Sequence, residues 1–486
     1  MEWADEPSTQ FARYTPRRRD GMKRLFSVIL LFLPILVVFA QDETAIPPSE
    51  NVFGIVEGFW LPERACELGV SWERIIFDWV QHQPTGPDDW HTLGVDDRWL
   101  KSASDCGREI VALLKHTPEW ATDGVPNAGV PSGLDLPIDD PNNYWANFVR
   151  RTAEYYASRG VNHFIIWNEP DIEAGTYGFE FEGGVEEYYQ LLRVAYLAAK
   201  QGNPNAVIHV AGMTYFHDTI AGRRLFLDRL LERITADPQA PEYNYYFDTV
   251  TLHIYFRSDT VFDLVQQTRE LLDSYGLQDK TIWINETNAA PTDDPMWPVE
   301  RPVFQLNLEQ QAAFLTQAAA LGLAAGAERI AVYKLYDQML PPGGESFGIL
   351  SPADQSPRPA FYAWRTVVDL FRHVTAADRQ HSEFLDAVRL NHTDGHETLV
   401  LWAKTQTPVS VYISATGTKA RLIDQYGNII IVWPDNGGYL IDLQPATCND
   451  VDGCPVGGPV SMLIQPQGTT TLQQITSSSE QSLQFE

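Results

Sequence analysis

Between Phe53 and about residue 370 the sequence alternates, eight times over, a short apolar run with a longer stretch of helical pattern. The apolar runs are Phe53 to Val56, Trp72 to Trp79, Ile110 to Leu114, Val161 to Ile166, Ala206 to Ala211, Asp248 to Tyr255, Thr281 to Ile284, and Arg329 to Val332 with Tyr333 to Tyr336. Each reads as a short buried strand. Helical stretches lie between them, among them Asn143 to Ser158, Val185 to Gln201, Ile220 to Ile234, Thr260 to Tyr275 and Leu308 to Ala325, with a closing one from Arg358 to Phe371. Several stop at Gly or Asn-Pro, as helices do: Gly160, Gly202-Asn203-Pro204 and Gly326. Eight buried strands, most followed by a helix, over roughly 320 residues predict a parallel (β/α)8 TIM barrel spanning 41–375. A doubly wound open sheet is the alternative, but no Gly-rich phosphate loop follows the first strand.

Past about Thr375 the texture changes. Short runs, Ala387 to Leu390, Glu397 to Ala403, Val409 to Ile413, Ala420 to Ile423, Ile429 to Trp433 and Tyr439 to Leu443, are separated by Asp-Gly, Gly-Asn and Asn-Gly-Gly signals. They predict a small C-terminal antiparallel β-sandwich over 376–468. Residues 469–486 are rich in Ser, Gln and Thr and read as a loosely ordered tail.

Lys23-Arg24, the apolar run Leu25 to Phe39 and Ala40 read as a secretory signal peptide cleaved after Ala40, with residues 1–21 an upstream extension if Met22 is the start. The other reading is an uncleaved membrane anchor. Both place the bulk of the chain outside the cytoplasm. The formal net charge of −29 repels phosphate backbones, which argues against nucleic acid as a partner. Four cysteines fit an oxidising compartment. Cys448 and Cys454 enclose a short polar loop and read as a pair; Cys66 and Cys106 are either a second bridge or free thiols.

Two strands end in the same way. Val161 to Ile166 leads into Trp167-Asn168-Glu169-Pro170, where the proline stops the ladder. Thr281 to Ile284 runs into Asn285-Glu286-Thr287. In a barrel of this kind the strands' carboxyl ends surround one depression, so Glu169 and Glu286 can converge across it. Two carboxylates flanking one bond are what acid-catalysed glycoside cleavage needs. A gap near 5 Å implies retention of configuration, and one of roughly 6.5 to 9.5 Å implies inversion.

Trp167-Asn168-Glu169-Pro170 on strand four, with a glutamate ending strand seven, resembles clan A of the glycoside hydrolases, over roughly residues 50 to 375. That resemblance implies retaining barrel enzymes, with Glu169 as acid/base and Glu286 as nucleophile. It also implies Asn168 on the substrate 2-hydroxyl, Arg74 beside the nucleophile, and a His-x-Tyr pair, His253 and Tyr255, at the end of strand six. The Phe347 to Leu350 run before Pro357-Arg358-Pro359-Ala360 is similar to the same group. Among families the β-xylosidase and α-L-iduronidase group is nearest in appearance, although Asn285 stands before Glu286 where that group often has Thr.

Each residue also has a bland reading. Arg74 fits a buried ion-pair partner of Glu286, and His253 an ordinary histidine of the barrel rim. His116, Trp60, Trp120 and Tyr333 sit at strand ends, where aromatic groups either line a sugar subsite or cap the core. Glu57, Asp78, Glu119 and Asp337 are competing carboxylates. The loops Thr287 to Val303, with Trp297, and Asp171 to Gly184, with Tyr177, Phe179 and Phe181, are long enough to wall a cleft. No His-Glu-x-x-His or similar spacing points to a metal, and no cofactor is implied. The expectation is a secreted retaining glycoside hydrolase acting on oligo- or polysaccharides. A carbohydrate-binding barrel without turnover and a transglycosylase using the same residues are the alternatives.

Overall fold

The computed structural model describes residues 51–176, 178–448, 454–476 and 479–483. The expected signal segment, Tyr177 and the loop 449–453 lie outside the described residues. Among the described residues no helix is long and apolar enough to cross a membrane.

Eight parallel strands close into a barrel in sequence order: β1 (Phe53–Val56), β2 (Trp72–Asp78), β3 (Glu109–Lys115), β4 (His163–Asn168), β5 (Val207–Met213), β6 (Thr249–Tyr255), β7 (Thr281–Asn288) and β8 (Arg329–Val332), with β8 paired back on β1. The predicted barrel is therefore present. Pairing rather than local hydrophobicity sets the ends of its strands. β7 runs on past Ile284 because Tyr255 pairs with Asn288 and Thr287 with Val332, which puts Glu286 inside the strand instead of at its tip. β8 stops at Val332, so Tyr333 to Tyr336 belong to the loop beyond it. Val56, Trp72, Val111, Leu113, Ile165, Trp283 and Ala331 form one buried cluster drawn from six of the strands, which fills the lumen below the mouth.

The helix expected over Ile220 to Ile234 is two helices, Phe216–Ile220 and Phe226–Thr235. Gly222 at φ 63° ends the first. The buried Asp218 then holds both Arg223 and Arg229 across the break. In helix Leu308–Ala324 every residue from Gln310 to Ala324 is buried, its three glutamines included, so it must be covered on all sides. One side is the barrel: a Cβ at Gly322 would meet Ile330 at 2.7 Å and Ile284 at 3.0 Å. The other side is the C-terminal region. Gln317 Oε1 accepts from Ser258 Oγ at 2.7 Å and from the Gly457 amide at 3.1 Å, while its Nε2 donates to the Gly458 carbonyl at 2.9 Å.

Among the described residues that region has ten strands: β9 (Val374–His381), β10 (Leu385–His392), β11 (His396–Ala403), β12 (Val409–Ser414), β13 (Ala420–Asp424), β14 (Ile429–Val432), β15 (Gly438–Leu443), β16 (Ser461–Pro466), β17 (Leu472–Thr476) and β18 (Ser479–Leu483). They form two antiparallel sheets, β14-β13-β16-β11-β10-β9 and β15-β12-β17-β18, around a core that includes Leu385, Leu399, Val411, Leu463 and Leu472. The predicted sandwich is thus correct in kind but short in extent. Residues expected to be a loose tail contribute β17 and β18. Leu472 and Leu483 pair across that hairpin and both are buried, so two apolar anchors set the register of an otherwise polar segment. Both bridges are formed, Cys66–Cys106 and Cys448–Cys454, with Cα separations of 5.7 and 5.4 Å.

Candidate active site

The end of β4 is shaped by unusual backbone. Trp167 has φ 73° and Glu169 φ 44°, left-handed values that cost a non-glycine residue about 1–3 kcal/mol each. Packing holds them. The Trp167 indole donates to the Glu180 carbonyl at 2.8 Å and lies against Trp145 and Phe181. The Glu169 amide donates to the Gly212 carbonyl at 3.2 Å on β5. Just beyond, the buried Asp171 accepts the amides of Thr214 and Tyr215 and the Thr214 hydroxyl, each at 2.8 Å, tying the β4 loop to the β5 loop. Burial pushes the Asp171 carboxyl up despite these donors.

Opposite, the β6–β7 register shifts between Leu252 and His253, so that His253 pairs with Glu286. This irregularity, with a second one between Ile284 and Thr287 on the β8 side, aims Glu286 into the mouth. There it is almost enclosed. Arg74 Nη1, from β2, donates to its Oε1, and the Tyr255 hydroxyl donates to its Oε2. His253 Nδ1 lies 2.6 Å from Glu169 Oε1 and 3.5 Å from Glu286 Oε2, so one imidazole faces both carboxylates. The ring has room only because residue 212 is glycine: a Cβ there would fall 1.9 Å from His253 Nε2. Glu169, His253 and Glu286 each present one atom within 4.8 Å of the others. Such a trio can also hold a cation, but both Glu286 oxygens already accept from protein donors, which balance the charge locally.

The electrostatics separate the two glutamates. Burial alone would push Glu286 up, but Arg74, His253 and the Tyr255 hydroxyl outweigh it, and the carboxyl lies below its ordinary value. His253 is pushed down by burial and, more strongly, up by the two carboxylates, so it holds its proton above the usual histidine range. The Tyr255 phenol, buried beside Glu286, is pushed far up and stays a donor. Glu169 is more open: its side chain is 19% exposed, against 6% for Glu286. The arrangement is a shielded anion facing a carboxyl group that substrate and water can reach.

Of the residues singled out in the sequence, the structure brings together Arg74, Glu169, His253, Tyr255 and Glu286, with Tyr333 edge-on to Tyr255 at 6.0 Å between ring centroids. Asn168 is 8% exposed, and its Oδ1 has no protein partner. Among the described residues no contact joins His116, Trp60 or Trp120 to this set. His116 Nδ1 lies 3.0 Å from Asp78. Trp60 packs on Phe59 and Trp99, and Trp120 on Trp79 and Tyr144 while donating to the Gln83 carbonyl. Phe181 is buried under Trp167 instead of walling a cleft. Trp297 donates to the Gly344 carbonyl at 2.9 Å and so joins two mouth loops.

Sequence reasoning did not find Gly212, the Lys334–Glu57 ion pair at 2.5 Å, or Asn288, whose Nδ2 donates to the Tyr333 and Phe347 carbonyls at 2.7 and 2.6 Å. Glycine and asparagine at those positions carry no local pattern. In the sequence Glu57 reads as a competing carboxylate at a strand end, and nothing local pairs it with a lysine 277 positions away.

No protein-family model and no curated protein matches the sequence. Solved structures do match. A family 39 glycoside hydrolase from Bacteroides cellulosilyticus WH2 superposes with a TM-score of 0.64 at 16% identity, covering 87% of this chain and 82% of that one. The fold is one that glycoside hydrolases use. A GH30 endoxylanase from Clostridium papyrosolvens C71 matches with a TM-score of 0.57 at 12% identity, over 87% of this chain and 98% of its own. A monomeric β-xylosidase from Caulobacter crescentus CB15 gives 0.53 at 13% identity, again over 87% and 98%. A coverage of 87% of this chain is more than the residues 50 to 375 of the sequence resemblance, so the match takes in part of the sandwich as well as the barrel.

Proposed function

We propose that this chain is a secreted, retaining glycoside hydrolase of β-glycosidase type. One observation carries the reading: an oxygen of Glu169 and one of Glu286 come within 4.8 Å of each other across the barrel mouth. That gap fits a carboxylate that attacks carbon directly better than a pair separated by an attacking water. Glu286, held ionised by Arg74, attacks the anomeric carbon. Protonated Glu169 gives its proton to the departing glycosidic oxygen, leaving a covalent glycosyl-enzyme. Glu169, now a carboxylate, takes a proton from water, which attacks the same carbon and releases Glu286. The sugar thereby leaves with its original configuration.

The other site residues serve these steps. The unpartnered Asn168 Oδ1 accepts from the sugar 2-hydroxyl. His253, within reach of both carboxylates, holds Glu169 at a fixed distance from the nucleophile. Two of the structural neighbours reported above are named for xylan or xylosides, so pentosides head the substrate list.

The test is a panel of chromogenic β-glycosides and plant polysaccharides, with NMR of the first-formed anomer. Retention is expected. An inverted product, or sugar binding with no hydrolysis, overturns the reading.

A further inference from the structure

The sandwich carries a segment that the hydrolase reading does not use. From Gln425 to Pro434 the sequence has ten residues without a charge, in a chain with 64 acidic and 35 basic residues. Within it lies β14, Ile429-Ile430-Ile431-Val432, the outermost strand of the six-stranded sheet. It pairs with β13 on one side, and among the described residues no strand pairs with the other. Ile429, Ile430 and Ile431 are 54, 59 and 42% exposed, Trp433 beyond them is 70% exposed, and Leu440 on β15, the adjoining edge of the second sheet, is 60% exposed.

Natural proteins blunt such edges with lysine, proline, a bulge or a covering loop, because a row of free amides and carbonyls beside apolar side chains invites another strand. Here Pro434 falls only after the strand has ended. The five side chains offer on the order of 500 Å² of apolar surface, at the top of what a monomer usually leaves exposed and more than half of the about 800 Å² that each partner gives to a stable interface.

The geometry points to a second copy of this chain as the occupant, pairing β14 to β14 in antiparallel fashion across a two-fold axis at Ile431. In that register Val432 faces Ile430, Trp433 faces Ile429, and Asp435 meets Gly427, so no like charges are opposed. Charge argues for self-pairing at this place. Two chains of net charge −29 repel almost everywhere, and the uncharged run is where they can approach. The pairing makes one continuous twelve-stranded sheet from two six-stranded ones.

Light scattering with size exclusion on the full-length chain, from about 1 µM to about 100 µM, tests this across micromolar dissociation constants. The expected mass at the upper end is twice the 54.8 kDa of one chain. Ile431→Lys places two lysines face to face at the axis and is expected to give the single-chain mass throughout, with unchanged thermal unfolding. If that variant unfolds, Trp433→Ala is read instead, with a dimer weakened at least tenfold. Amide exchange at 429–432 adds a second measure: protection should rise with concentration. A single-chain mass at every concentration, a dimer that survives both substitutions, or protection independent of concentration, as cover from this chain's own residues 1–50 would give, overturns the proposal. So does retention of a single-chain species on insoluble polysaccharide through Trp433.

Discussion

The same barrel holds a charged cluster at each end, and the two are built on opposite terms. At the amino ends of the strands, Glu109 accepts from Arg329 at 2.6 Å and lies 3.3 Å from His163, which in turn is 2.9 Å from His209. Trp283 packs beneath the Arg329 guanidinium and donates to Glu328 at 2.7 Å. Burial pushes Glu109 up, but the histidine and arginine beside it outweigh that and hold it at about 2, while the fully buried His209 is pushed well below its ordinary value and stays neutral. At the carboxyl ends two carboxylates crowd one imidazole, and that histidine is pushed up. Histidine beside glutamate therefore means little alone. Two carboxylates around one imidazole, on strained backbone, mark the end where chemistry is expected.

That contrast can be broken experimentally, most sharply by Glu286→Gln, for which kcat on an aryl glycoside is expected to fall roughly 10⁴-fold or more with sugar binding kept. A loss under tenfold would remove Glu286 from the reaction. Glu169→Gln should cost roughly 10²- to 10⁴-fold on substrates with poor leaving groups and less on activated aryl glycosides. Equal losses on both would deny it the role of acid.

Removing the arginine at each end compares the clusters directly. Arg74→Met takes the arginine from a buried carboxylate and leaves it only the Tyr255 hydroxyl and His253, so denaturant unfolding should show a loss of about 3 kcal/mol or more together with lost activity. Arg329→Met exposes a carboxylate already one-third open to water, so the loss there is about 1 kcal/mol or less, with hydrolysis intact. Similar losses at both ends would erase the distinction. Gly212→Ala drives a methyl group into the His253 ring and should lower kcat by about 10²-fold, mainly without changing KM.

The smallest effect is the pH dependence of stability, and for the histidines its sign differs between the ends. His253 has a raised value, so its contribution is full below 6.5 and is lost as pH climbs through its folded value. Glu286, depressed, contributes above 4.5 and loses that contribution as pH falls through its folded value. At the floor, His209 must stay neutral, so stability declines as pH drops below 6.5, and Glu109 adds a further loss between 4.5 and about 2. Denaturation curves of His253→Asn should therefore converge with those of the parent on the alkaline side. Curves of Arg329→Met should converge on the acid side.

Much of this was legible in the sequence, for identifiable reasons. The βα alternation was visible because both faces of a parallel strand are covered, which leaves an apolar run that polar loops interrupt. Glu169 and Glu286 stood out because each ends such a run beside an asparagine. What stayed hidden depends on partners distant in the chain. The length of β7 depends on pairing with β6 and β8. The role of Gly212 depends on a ring that arrives from residue 253, and the split at Gly222 depends on Asp218 drawing in two arginines. The β17–β18 hairpin was missed because its composition is that of a linker, with Leu472, Gln474 and Leu483 the buried anchors among the described side chains. Trp60 and Trp120 show the converse, since an aromatic residue at a strand end satisfies the pattern for a cleft and for packing alike, and both rings pack on their neighbours.

The all-buried helix Leu308–Ala324 has one more consequence. The side turned to the C-terminal region is largely apolar, and the Gln317 amide on it is matched to backbone contributed by Gly457 and Gly458. Shortening the gene to the catalytic portion, a common step when such proteins are engineered, would strip that helix of its cover and leave a greasy stripe along the barrel wall. The trailing sandwich is better regarded as the missing outer layer of the barrel than as an appendage, and any trimmed version would need its own replacement for it.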